Sequence, residues 1–266
     1  MTLPDWHLQA SRWKGYRAPQ LPTSSDINRY DLALDALAPG ANVLLLGVTP
    51  PLVALAESRQ FQLTAVDGDA EMIRQVWPGD VPGLRKAILG SWDELPVERG
   101  SFDAILGDGV LAFSTTPNTL QSRLDHWIEF LRPQSVGVVV RTFHRPESPS
   151  AIEGVEAVAT ALIQEKLDLD AGRWKLAFAL ADERGIVSLN RIYEAFVELG
   201  LEEWLAEGGR DLELAKFQAY RNSTLSYRFF RQPEIMRETA GRWRRTLPGT
   251  PAAYALSEWC PIHLFR

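Results

Sequence analysis

Asn42 to Pro50 reads N-V-L-L-L-G-V-T-P, and the fold turns on this stretch. Val43, Leu44, Leu45 and Leu46 run without polar alternation, the pattern of a strand buried on both faces of a parallel sheet. Gly47 breaks the run. Pro50 and Pro51 then suit the opening of a helix, because a first turn leaves its N–H groups unpaired in any case. That helix is expected over Leu52 to Ser58. The next apolar stretch, Leu63 to Val66, ends in Asp67, twenty positions after Gly47. A buried strand, a glycine turn onto a helix N-terminus and an acid closing the next strand outline a nucleotide-binding half-fold. The acid there accepts hydrogen bonds from ribose hydroxyls.

Outward from this stretch, strand and helix keep alternating. Upstream, Asp26 is placed to cap a helix reaching Leu37, with Ile27, Tyr30, Leu34 and Leu37 on one face, and Pro39-Gly40 stops it. Downstream, Ala70 to Trp77 reads as a helix with Met72, Ile73 and Val76 inward. Lys86 to Leu89 is a third strand, and Gly90 to Pro96 a turn. Phe102 to Leu106 is a fourth strand closed by Gly107-Asp108-Gly109. Thr119 to Leu131 is a helix, and Val136 to Val140 a fifth strand of β-branched residues. This order predicts an α/β fold with a doubly wound, mostly parallel sheet that binds ligands at the carboxyl ends of its strands.

The 266 residues, 45% hydrophobic and 23% charged, suit one large domain or one domain with an elaboration. No apolar run approaches the ~20 residues of a membrane helix. Met1 to His7 lacks the marks of a signal peptide, and a lone cysteine, Cys260, leaves no internal disulfide. The expected compartment is a reducing cytoplasm. A net charge of −6 argues against broad nucleic-acid binding. His7, His126, His144 and His263 are scattered, so no metal site is expected. Residues 1–24 form a lead-in with Trp6, His7, Trp13, Tyr16 and Arg17. It reads either as an aromatic segment packed on the surface or as a lid over a ligand pocket.

Five segments in register, V-L-L-L-G, T-A-V-D-G-D-A-E-M-I, G-S-W-D-E-L-P, S-F-D-A-I-L-G-D-G-V-L and L-R-P-Q-S-V-G-V-V-V, resemble the class I S-adenosylmethionine-dependent methyltransferases over about residues 40 to 142. The resemblance implies a seven-stranded Rossmann-like sheet with an antiparallel last strand and S-adenosylmethionine as cofactor. By position it places Gly47, Val48 and Thr49 at the methionine part, Asp67 on the ribose, and Gly68 and Met72 near the adenine. It places Ser91 and Trp92 on the adenine edge and face, and Asp108 and Gly109 beside the methionine end and the substrate. The loop departs from the family, with Leu46 in place of an acid and Val48-Thr49-Pro50 in place of glycines. Glycines there let a ligand approach the backbone closely. The G-x-G-x-x-G of nicotinamide dehydrogenases is missing.

The core is assigned to residues 25–145, a helical insertion to 146–220 and the last strands to 221–266. Ile152 to Ile163 and Leu189 to Val197, the latter capped by Ser188, mark helices, with an apolar stretch at Trp174 to Leu180 between them. The insertion would shape a substrate pocket or make a homodimer contact. Leu225 to Phe230 is expected as a strand, Pro233 to Ala240 as a helix and Trp259 to Phe265 as the final strand. His144 reads as a base near the substrate or as a solvated loop residue, and Cys260 as core. Asp108 reads as orienting a nucleophile or capping a turn. Lys216 to Arg245 holds eight basic and two acidic residues, +6 against −12 for the remainder. Those cations either pair with acids of the insertion or of a second subunit, or grip an anionic substrate. No catalytic base is assigned, since the sulfonium methyl is already activated and the protein has mainly to position it. The expected activity is methyl transfer to a small-molecule acceptor, without membrane or nucleic acid. The alternatives are a catalytically inactive S-adenosylmethionine-binding regulator and an RNA or protein methyltransferase.

Overall fold

The structure is a computed structural model describing residues 10–116 and 119–266. Trp6 and His7 of the lead-in lie outside the described residues. The central sheet is built from β1 (Asn42–Leu46), β2 (Gln62–Asp67), β3 (Arg85–Leu89), β4 (Ala104–Asp108), β5 (Gly137–Arg141), β8 (Trp243–Leu247) and β9 (Ile262–Phe265). Their order across the sheet is β3-β2-β1-β4-β5-β9-β8. The first five strands are parallel, and β9 runs antiparallel to both β5 and β8. This is the seven-stranded, doubly wound sheet expected from the sequence.

The uninterrupted apolar run of β1 has a direct cause. Val43 and Leu45 point into one core with Tyr30, Leu34, Leu52 and Ala65. Leu44 and Leu46 point into the opposite core with Ile105, Leu120, Leu124 and Trp127. Successive side chains alternate between faces, and both faces are roofed by helices. On the first face lie α1 (Ser24–Ala33), α2 (Pro50–Ser58) and α3 (Ala70–Val76); on the second lie α4 (Thr119–Ile128) and α10 (Gln232–Glu238). Each fully buried leucine of β1 contributes roughly 1.5–3 kcal/mol of transfer free energy.

Asp26 does not cap α1 as expected. Thr23 is the cap, and Asp26 stands three residues on, where its Oδ2 accepts from the backbone N and Oγ1 of Thr23 at 2.8 and 2.9 Å. The helix also ends at Ala33, short of Leu37.

The insertion comprises α5 (Val155–Ile163), α6 (Leu169–Leu180), α7 (Leu189–Glu198), α8 (Leu201–Glu207) and α9 (Asp211–Gln218). A two-stranded antiparallel ribbon, β6 (Ile186–Ser188) with β7 (Ser226–Arg228), closes it. Its own core includes Val158, Leu162, Trp174, Phe196 and Phe229, and takes in Phe143 and Cys260 from the sheet side. The strand expected at Leu225 to Phe230 therefore does not join the central sheet. The place beside β5 goes to β9 and the outer place to β8, whose Arg244 and Arg245 are exposed on an edge strand. Charged side chains protect such an edge from further pairing, and they also mask its strand pattern. Among the described residues no helix is long and apolar enough to cross a membrane.

Candidate functional site

At the carboxyl ends of β1 and β2 one carbonyl holds two groups. Val66 O accepts from Gly47 N at 2.8 Å and from Trp92 Nε1 at 2.8 Å. Gly47 has φ +92°, which glycine adopts freely. A methyl group built on it would stand 3.7 Å from Trp92 Cζ2 and 3.8 Å from Asp67 Oδ2. Gly47, Asp67 and Trp92, far apart in sequence, thus meet at one point. The Trp92 N–H is spent on Val66, so what the indole offers a ligand is its ring.

Asp67 ends β2 with its carboxylate nearly buried. Oδ1 accepts from Asp69 N at 2.9 Å, and Asp69 in turn caps α3 by accepting from Met72 N at 2.9 Å. Burial pushes the Asp67 carboxyl up to about 7; the Asp69 N–H opposes this and the Asp69 charge adds to it. An acid in that state gains from any ligand hydroxyl that donates to it.

A cleft of about 710 Å³ opens at this place. Asp67, Gly68, Ser91 and Trp92 line it, together with Leu89, Phe113, Thr115 and Arg123. Thr224, Leu225 and Ser226, which follow the segment assigned to the insertion, line it as well. Arg123 is fixed there by Asp93, at 2.7 and 3.1 Å.

The other expected positions lie elsewhere. Val48 and Met72 are buried in the first core, and Thr49 is the buried cap residue of α2. Asp108 is gripped at both oxygens by Arg141, whose Nε and Nη2 donate at 2.6 and 3.1 Å. Its oxygens are spent on Arg141, and the cap position of the turn that follows is Gly109. Arg141 Nη1 also reaches Asp26 Oδ2 at 3.3 Å and the Tyr254 hydroxyl at 3.2 Å. Burial works against the Arg141 charge, but Asp108, Tyr254 and Cys260 together raise it and keep the guanidinium protonated. Gly109 is covered by Phe143: a methyl group there would meet Phe143 Cε2 at 2.5 Å. Phe143 packs in turn on Trp174 of the insertion, with ring centroids 4.1 Å apart.

His144 is neither solvated nor at the cleft. It is buried against His263, Nε2 to Nε2 at 3.1 Å, and burial lowers it to about 4. Cys260 is buried, as expected of a core residue. Sequence reasoning missed Arg141, although a lone charge ending the strand Gly137–Arg141 was a visible signal. It also missed Thr224 to Ser226, for which a loop so distant in sequence carries no local signal.

No protein-family model matches the chain, and no curated protein matches it by sequence. Many solved structures share its shape, among them the following. A protein from Rhodobacter sphaeroides named as a Zn-dependent alcohol dehydrogenase is 13% identical, with 97% of each chain covered and a TM-score of 0.60. A SAM-dependent methyltransferase from Methanosarcina mazei is 12% identical, over 89% of this chain and 96% of that one, at 0.52. DhpI, in a complex with SAM and HEP, is 14% identical, over 98% and 94%, also at 0.52. The names differ, and at such identities what carries over is the path of the chain. That path, with strand order β3-β2-β1-β4-β5-β9-β8 and β9 reversed, is the fold of the class I S-adenosylmethionine-dependent methyltransferases.

Proposed function

We propose that this chain is an S-adenosylmethionine-dependent methyltransferase acting on a small-molecule acceptor. One observation carries the reading: Asp67, a desolvated acid at the end of β2, opens onto a cleft of about 710 Å³ together with Gly68, Ser91 and Trp92. The residues fit an adenosyl group. Asp67 would accept from ribose hydroxyls, and the Trp92 ring, Gly68, Leu89 and Ser91 would flank the base. When bound, S-adenosylmethionine supplies a methyl group already activated on its sulfonium. The chain's own part is then to hold the acceptor in line and keep water out. Phe143, backed by Trp174, supplies an apolar cover over Gly109, and Thr224 to Ser226 line the cleft. The cleft's size supports a small ligand. Lys216, Arg228, Arg231 and Arg242 each pair with an acid of this same chain, which speaks against a basic nucleic-acid surface. A cytoplasmic setting goes with this reading.

A second reading, a cofactor-binding regulator without transfer, is favoured by the close cover of Gly109 and the locking of Asp108 by Arg141. Calorimetric titration with S-adenosylhomocysteine tests what both share. Asp67→Ala should weaken binding roughly ten- to hundredfold, the loss of a charge-assisted bond of about 1.5–3 kcal/mol. Equal affinity in a folded variant would remove Asp67 from the site. Turnover of labelled S-adenosylmethionine across an acceptor panel separates the two readings.

A further inference from the structure

The cleft extends beyond the residues that would hold an adenosyl group. Phe113 and Thr115 line it from the segment after β4, and Thr224, Leu225 and Ser226 from the segment that runs into β7. Trp92 and Phe113 join the two parts, with ring centroids 6.1 Å apart. All five residues are half-buried or exposed, so a ligand entering from solvent can reach them.

This wall is built on fixed backbone. Ser226 pairs with Ser188 across the ribbon, and Leu225 O accepts from Leu189 N at 3.0 Å. Arg184 Nη2 donates to Thr115 O at 3.1 Å, and the Phe113 ring meets that of Tyr227 at 5.5 Å between centroids. The hydroxyls of Thr115, Thr224 and Ser226, by contrast, are committed to no partner among the described residues. A hydroxyl both donates and accepts, so three of them suit a neutral polar group. Phe113 and Leu225 add apolar surface beside them.

The charges of the cleft point the same way. They are Asp67, Asp69, Asp93 and Arg123. The one cation is already matched. Arg123 Nε and Nη2 donate to Asp93 at 2.7 and 3.1 Å, and Nη1 reaches Ser114 Oγ at 3.4 Å. A carboxylate or phosphate on the acceptor would therefore meet no free cation, and the acids of the cleft would repel it. An ammonium fares no better. Asp93 is held by Arg123, Asp69 caps α3, and Asp67 serves the ribose in the methyl-transfer reading.

We infer that Phe113, Thr115, Thr224, Leu225 and Ser226 form the acceptor subsite, and that it selects an uncharged compound with an aromatic or apolar body and a hydrogen-bonding edge. That this compound is the methyl acceptor rests on the methyl-transfer reading. The preference for an uncharged ligand rests on the wall itself and on the Arg123–Asp93 pair.

The full chain is titrated with 2-phenylethanol, phenylacetate and 2-phenylethylamine, and with the indole set of tryptophol, indole-3-acetate and tryptamine. Each titration is run with and without S-adenosylhomocysteine and read by calorimetry and by the melting temperature. In at least one set the alcohol should bind at least tenfold more tightly than the acid or the amine. Thr224→Val combined with Ser226→Ala should weaken that alcohol at least fivefold while changing S-adenosylhomocysteine affinity less than twofold. Asp93→Ala, which frees Arg123, should raise acid affinity at least tenfold, and adding Arg123→Gln should cancel the gain. No preference for the alcohol in either set overturns the inference, whether or not the variants fold. A tenfold loss of S-adenosylhomocysteine binding in the folded double variant gives the wall to the cofactor and overturns it too. Unchanged acid affinity in folded Asp93→Ala overturns the part assigned to the ion pair. Preference for the alcohol without any S-adenosylhomocysteine binding supports the uncharged subsite and overturns the methyl-transfer reading instead.

Discussion

At Asp67 the physics of one side chain yields two pH dependences. The carboxyl sits at about 7 because burial disfavours its charge. Ligand hydroxyls that donate to it favour the charged form. Affinity for S-adenosylhomocysteine should therefore rise as pH goes from about 5.5 to 7.5 and level off above, with a proton released on binding. Calorimetry in buffers of different ionisation enthalpy measures that proton, and the slope should vanish in Asp67→Asn. A flat wild-type profile would count against Asp67 as a ligand. Without ligand the linkage concerns stability. The folded state keeps the proton to higher pH than the unfolded chain, so this group stabilises the fold at low pH and that contribution is lost as pH rises from about 4 through about 7.

Among elements, the junction of β5, β9 and β8 carries the opposite slope. His144 follows β5, His263 lies in β9, and Thr246 of β8 meets His263 Nδ1 at 2.9 Å. Burial lowers His144 to about 4 and His263 well below its ordinary value. The unfolded chain therefore takes up protons first, and stability is lost as pH falls below about 6.5. Urea midpoints between pH 4.5 and 7.5 should show that fall more weakly in His144→Phe; an unchanged fall would place its origin elsewhere. The same junction depends on Gly137, at φ +124°, where a methyl group would stand 2.3 Å from Phe265 O. Gly137→Ala should destabilise by about 1–3 kcal/mol or more in denaturant unfolding, because both the backbone conformation and the strand pairing oppose it. A neutral result would mean that β9 can move aside.

Across the whole molecule Arg141 joins parts that are distant in the chain. Its guanidinium reaches Asp108 of β4, Asp26 of α1, Tyr254 near the C-terminus and Gln20 O in the lead-in. Tyr30 adds a second tie, donating to Gly107 O at 2.6 Å and accepting from Arg141 N at 2.8 Å. Removing one partner of a buried ion pair leaves an uncompensated charge, so Arg141→Met should cost about 3–5 kcal/mol. A double-mutant cycle with Asp108→Asn should recover part of that loss, since the second change removes the stranded carboxylate. Strict additivity would mean that the two groups are not coupled.

The parallel half of the sheet, residues 42–141, was legible in the sequence because its signals are local. A strand buried on both faces has no choice but an apolar run such as Val43 to Leu46, and Asp67 and Gly47 are punctuated by their neighbours. Gly68, Ser91 and Trp92 came from the resemblance to the class I S-adenosylmethionine-dependent methyltransferases. The rest depended on contacts that no window of sequence contains. Only the folded chain spends the Trp92 N–H on Val66 and locks Asp108 onto Arg141. Leu225 to Phe230 looked like a sheet strand by composition, yet the hydrogen-bonding edge beside β5 was taken by β9, and Trp243–Leu247 held the outer place. Lys216 was expected either to pair with acids of the insertion or of a second subunit or to grip an anionic substrate, and packing buries it with Arg173 on one shared acid, Asp170. Periodicity reports which face of an element is buried; it cannot report which distant side chain buries it.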